Sequence, residues 1–236
     1  MTPLMYAVKD NRTSFVERLI ELGSDVGARN NTTGMTPLMY AVKDNRTSFV
    51  ERLIELGSDV GARNNDNYNV LHISAMYSRE DIVKLLLSKR GVDPFATGGS
   101  RQQTAVHLVA SRQTGTATSI LRALLTAAGK DIRLRVDGDN YNVLHISAMY
   151  SREDIVKLLL SKRGVDPFAT GGSRQQTAVH LVASRQTGTA TSILRALLTA
   201  AGKDIRLRVD GSSERAWMQR RRSDRVQPRR LAPPSA

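Results

Sequence analysis

The feature that most constrains this chain is verbatim repetition at two scales. Residues 1–31 recur without a substitution as 35–65, and Asp66–Gly138 recurs as Asp139–Gly211. A unit this short cannot enclose a core alone, so each copy must bury its apolar face on a neighbour of the same kind. The length of 236 residues therefore counts stacked units and not separate cores. Copies this exact point to a very recent duplication, an engineered chain or an error in gene assembly, and the last two are favoured.

The unit is read best in Gly34–Asn64, GMTPLMYAVKDNRTSFVERLIELGSDVGARN. Thr36 is an N-cap and Pro37 sits at the first helical position, where its missing N–H costs nothing. Leu38, Ala41 and Val42 form a short apolar face at helical spacing. After the polar break Lys43–Thr47, a second face follows: Phe49, Val50, Leu53, Ile54 and Leu56. Gly57 stands where a left-handed residue ends a helix. The reading is helix, tight turn, helix and an extended return over Asp59–Asn64.

Thr-Pro-Leu, followed further on by Gly-Ser-Asp-Val, resembles the ankyrin repeat, and NVLHISA (Asn69–Ala75) and TAVHLVA (Thr104–Ala110) are similar to its first-helix motif. The resemblance implies an all-α solenoid of helix–turn–helix units joined by short hairpin loops. Six units are expected, at 1–31, 32–65, 66–99, 100–138, 139–172 and 173–211. The first begins inside a repeat. In the third, Asn67 takes a family glycine position, since asparagine tolerates a left-handed backbone next best; its second helix is expected over Glu80–Lys89. The fourth departs from the others: Ala75 to Ile82 spans seven positions, whereas Ala110 to Ile120 spans ten. The extra residues around Gln113–Thr116 should lengthen its inter-helix loop. Its second helix, Thr118–Ala128, is followed by an alternating run, Asp131–Val136.

Charge is unevenly spread. Of the formal +13, residues 100–138 and 173–211 carry four units each, 212–236 carries five, and the remainder balances. The segment 212–236 is rich in Arg, Pro and Ser without periodicity and is expected to be disordered. Its arginines could suit nucleic acid, but Trp217 lacks the aromatic companions of a base-stacking surface, so that reading is disfavoured. The absence of cysteine excludes a disulfide framework and thiolate metal sites. With no signal-like N-terminus and no long apolar run, a cytoplasmic location and no membrane-spanning segment are expected.

Two segments are similar to a narrower group: DNYNVLHISAMYSREDIVKLLLSKRGVDPF and SRQQTAVHLVASRQTGTATSILRALLTAAGKDIRL. They resemble the first repeats of the insect NompC-type mechanosensory TRP channels. That resemblance implies a cytoplasmic ankyrin spring beneath the plasma membrane that transmits force to a pore and attaches to microtubules. No pore or spanning segment is expected within these residues, which are therefore not expected to conduct ions themselves.

Candidate chemistry is sparse. His72, His107, His145 and His180 occupy one motif position each, spread along the array, so they are expected to hydrogen-bond at helix starts and not to hold a metal. Gly98-Gly99 and Gly171-Gly172 lack the Gly-Lys-Ser/Thr of a phosphate loop and read as loop punctuation. Glu80-Asp81 suit the helix dipole, and the sequons at Asn11 and Asn45 carry no meaning in a cytosolic chain. No catalytic constellation, cofactor motif or small-molecule substrate site emerges, so a protein-binding scaffold is expected in place of an enzyme. The candidate partner-binding residues are Arg133 and Arg135, alternating with Ile132, Leu134 and Val136, and their copies Arg206 and Arg208. Helix layers about 8–10 Å apart put the pairs roughly 20 Å from each other, a spacing suited to an acidic, extended partner such as a microtubule. The alternative is a structural array with no dedicated partner.

Overall fold

The computed structural model describes residues 1–128, 136–162, 164–185 and 188–201. These form twelve helices in six consecutive antiparallel pairs. The first helices are α1 (Pro3–Lys9), α3 (Pro37–Lys43), α5 (Val70–Met76), α7 (Ala105–Ala110), α9 (Val143–Met149) and α11 (Ala178–Ala183). The second helices are α2 (Thr13–Glu21), α4 (Thr47–Glu55), α6 (Glu80–Leu87), α8 (Ala117–Ala128), α10 (Glu153–Leu160) and α12 (Ala190–Ala201). First helices pack on first helices and second on second, so the pairs stack as an all-α solenoid. Among the described residues, β pairing is limited to three isolated bridges, Gly98–Gln103, Val136–Asn142 and Gly171–Gln176.

Local chemistry explains the helix starts. Thr36 accepts the Met39 N–H at 3.3 Å, and Pro37 opens α3. Asn69 and Asn142 accept the N–H of His72 and His145, both at 3.1 Å. Gly57 ends its pair with φ +84°, and Asn67 takes φ 64°. The helix expected to reach Lys89 stops at Leu87, where the Ser88 hydroxyl turns back to donate to the Leu85 carbonyl. The return after α4 is not extended throughout: the Asp59 carboxylate accepts the Gly61 N–H at 2.7 Å and folds its first residues into a turn. The long loop of the fourth pair lies between α7 and α8, as the spacing requires.

The core is one continuous seam along the stack. Leu38, Val42, Phe49, Val50 and Leu53 are buried in the second pair, and Ile82, Val83 and Leu86 line the inner face of α6. Gly99 shows why the hairpin keeps a glycine. Its φ is +72°, and a Cβ there would lie 2.2 Å from the Tyr68 hydroxyl oxygen.

Candidate protein-binding surface

Two sets of contacts tie the third pair to the fourth and the fifth to the sixth. Beneath the hairpins, the Asn69 N–H donates to His72 Nδ1, while the Nε2 nitrogen lies 3.1 Å from the Gln103 carbonyl in the following loop. A carbonyl only accepts, so Nε2 carries the proton. His145 repeats the arrangement on the carbonyls of Ala169 and Gln176, at 2.9 and 3.1 Å. Burial pulls the His72 imidazole down to about 4, against the raising effect of the Gln103 bond. Burial also lowers His145, against the raising effect of the bonds to Ala169 and Gln176 and, less, of the Asp137 carboxylate. His107 and His180 place Nδ1 on Thr104 and Thr177, at 2.9 and 2.8 Å. All four histidines are thus helix-start residues that also brace the backbone.

On the other side, Ser119 and Ser192 of α8 and α12 donate to Glu80 and Glu153 of the preceding repeat's second helix. Those glutamates also bind Lys84 and Lys157 at 2.6 and 2.5 Å, and these bonds hold both carboxyls below their ordinary range. Dipole compensation alone does not account for them; they staple neighbouring second helices.

The outward surface is built at the turns between paired helices. Asn11, Asn45, Ser78 and Ser151 take positive φ there, from 56° to 60°. A serine in this region is sterically costly; the sequence carries no sign of it beyond alignment with the asparagines of the first two units. Tyr77 and Tyr150 project from these turns at 42% and 38% exposure. The Lys43 ammonium lies 5.7 Å from the Tyr77 ring centre, and the Ser78 and Thr114 hydroxyls are 3.0 Å apart. The turn tips of the second, third and fourth repeats therefore touch and form a polar and aromatic ridge.

An arginine stands at the N-cap of four second helices, α2, α4, α6 and α10 (Arg12, Arg46, Arg79 and Arg152), and none caps its helix through its side chain. Arginine is a poor capping residue, so its recurrence was the signal for a tertiary role. Arg79 donates from Nε and Nη2 to the Lys43 carbonyl, at 3.1 and 2.7 Å, closing the C-terminus of α3 in the previous repeat. Arg152 has the same local sequence but stacks on the fourth repeat, whose loop is longer. It folds back on Asp154 instead, with bonds of 3.1 and 2.7 Å.

Asp154 also accepts from Thr118 of α8. Its carboxyl sits below the ordinary value: burial raises it, but the bonds from Arg152 and Thr118 outweigh that. The hairpin entering the fifth repeat differs as well. Arg63 donates to the carbonyls of Asn67 and Thr97 at 2.9 and 2.5 Å, whereas the equivalent Val136 stands 44% exposed.

The four arginines singled out from the sequence, Arg133, Arg135, Arg206 and Arg208, lie outside the described residues, as does the segment 212–236. Among the described helices none is long and apolar enough to cross a membrane.

Stacked helix pairs braced in this way define a helical-repeat solenoid. A family model described as ankyrin repeats (3 copies) matches residues 4–98 and 91–171, more than half of the chain, and the chain belongs to the ankyrin-repeat family. Among solved structures it is similar to a chain of the complex between the Bd0816 predatory endopeptidase from Bdellovibrio bacteriovorus and immunity protein Bd3460. The TM-score is 0.71 at 21% identity, covering 84% of this chain and 97% of that one. At that identity the likeness concerns the fold alone. No curated protein matches this chain.

Proposed function

We propose that this chain is a protein-binding ankyrin scaffold. The observation that supports it is the turn-tip ridge, where Lys43, Tyr77, Ser78 and Thr114 meet across three successive repeats. A surface shared by several units suits a macromolecular partner, and rigid solenoids present such surfaces by repetition. The solved complex above pairs an immunity protein with an endopeptidase, which fits this reading by analogy only.

The finer reading makes the array a piece of the cytoplasmic spring of a NompC-type mechanosensory channel, on the cytoplasmic side of the plasma membrane. It rests on the sequence resemblance of residues 66–138 and their copy. In this reading Arg133, Arg135, Arg206 and Arg208 attract the acidic surface of a cytoskeletal partner, a microtubule. The test is co-sedimentation with microtubules at low and high salt, with a chain ending at Gly211 so that the tail adds no charge. Changing all four arginines to Glu is expected to abolish a salt-sensitive binding. Binding that ignores both salt and these changes would exclude them as the site.

The verbatim copies favour a second reading, an array with no dedicated partner produced by engineering or gene-assembly error. Sequencing the transcript across Gly138–Asp139 and Gly211–Ser212 separates the two. A continuous natural transcript supports the scaffold; junctions missing from it support the artefact.

A further inference from the structure

We propose that the cleft where the fourth, fifth and sixth repeats meet is a basic subsite that takes a carboxylate side chain of an extended segment of the protein partner. The proposal rests on the scaffold reading and deepens it. The cleft has a volume of about 560 Å³ and is lined by Gln113 and Thr114 of the fourth repeat, Tyr150 to Arg152 of the fifth, and Arg185 with Thr189 of the sixth. Two guanidinium groups and no carboxylate stand in that lining, and the rest of the wall is amide, hydroxyl and one phenol.

Arg152 carries the argument. It is only 6% exposed, and its Nε and Nη2 edge is taken up by Asp154. Its remaining nitrogen, Nη1, is buried and has no hydrogen-bond partner. A buried guanidinium with an unsatisfied edge is costly, and native structures avoid such groups unless something fills them. An entering oxyanion satisfies that edge and bridges to Arg185, which stands exposed on the next repeat. Because Nη1 is covered, binding includes displacement of part of the wall, whose exposed side chains include Gln113 and Tyr150.

The copy of this place two repeats earlier shows what is special about it. Arg79 and Arg112 have the same local sequence as Arg152 and Arg185. Arg79, however, uses two nitrogens on the Lys43 carbonyl, and the second repeat, on which it sits, has no counterpart of Gln113 and Thr114. The longer loop of the fourth repeat therefore both removes the arginine's backbone partner and supplies one wall. The volume exceeds that of a single small ion and lies within the range of built binding clefts, which favours a peptide segment. Guanidinium groups recognise carboxylates through paired N–H donors, and such charge-assisted bonds are the strong ones.

The test titrates the full chain with a hexaglutamate peptide and follows the amide resonances of Thr114, Ser151 and Arg185 by NMR. These report the cleft and are blind to peptide held at the arginine-rich tail. Saturable shifts at these three positions are expected. Arg152→Gln and Arg185→Gln should each weaken the fitted affinity at least about tenfold, the loss ordinary for a charge-assisted bond. Arg79→Gln and Arg112→Gln, the same changes two repeats earlier, should leave it unaltered.

Arg185 is exposed, so its variant keeps the test valid even if Arg152→Gln perturbs folding. Absence of shifts, or equal weakening by the earlier pair, overturns the proposal. Inorganic phosphate or acetate that shifts the same resonances as tightly as the peptide also overturns it, because the cleft would then hold a small ion only. A partner still retained by the doubly substituted chain would fail the cleft and leave the scaffold standing. Peptide bound in the cleft of a chain that retains no protein partner would fail the scaffold alone.

Discussion

The imidazole of His72 donates its Nε2–H to the carbonyl oxygen of Gln103, across 3.1 Å and from one repeat to the next. The bond needs a neutral ring, and burial lowers the imidazole from 6.5 to about 4. The unfolded chain therefore binds more protons than the folded one between those two values. The stability from this group is fully present above pH 6.5 and is lost as pH falls toward about 4. The full loss is at most about 3 kcal/mol. Denaturant unfolding at a series of pH values should show this decline, and His72→Gln should flatten it. An undiminished slope in the variant would assign the decline to other groups.

Leu53 is wholly buried, whereas its sequence copy Leu19 is only half-buried. Leu53→Ala is expected to cost about 2–5 kcal/mol, the range for cavities in packed cores. Leu19→Ala should cost clearly less, because its site opens to water and can collapse. Chemical denaturation of the two variants side by side checks this, and equal costs would mean that the first pair is as well packed as the second.

The hairpin entering the fifth repeat lacks the Arg63 tie, since Val136 stands in its place. Amide exchange is therefore expected to be faster over Gly138–Asn142 than over Asn65–Asn69, which shares most of its sequence. Val136→Arg should slow it by offering donors to the carbonyls of Asn140 and Thr170, the copies of those that Arg63 binds. Equal exchange at both hairpins before substitution would refute the idea of a weaker junction.

Gly99→Ala should be strongly destabilising. It forces a Cβ into the left-handed region at φ +72° and within 2.2 Å of the Tyr68 oxygen. Backbone strain alone is worth about 1–2 kcal/mol, and the clash adds to it. Gly115→Ala, with nothing within 4 Å of the new methyl, should be neutral or slightly stabilising. Thermal melts of both variants give the contrast directly.

Much of this architecture is legible along the chain because its causes are local. Thr36, Pro37, Gly57 and Asn67 each set a backbone state within a residue or two of themselves, and the spacing of Leu38, Val42, Val50 and Leu53 marks the faces that turn inward. The extra residues near Thr114 likewise announce a longer loop.

What the tertiary structure decided is seen where identical segments differ. Tyr40 is 7% exposed and hydrogen-bonds Asn30, while its copy Tyr6 is 53% exposed; Phe49 is 2% exposed and Phe15 51%. His107 is buried and His180 is not. Arg79 reaches a backbone carbonyl, and Arg152 an aspartate. No local reading separates these pairs, because each has the same neighbours in sequence. Their neighbours in space differ: α3 packs against α1 while no described helix pair precedes α1, and α10 follows a repeat with a longer loop where α6 does not. Burial and hydrogen-bond partners depend on what is stacked alongside, so copies with one sequence acquire different surfaces.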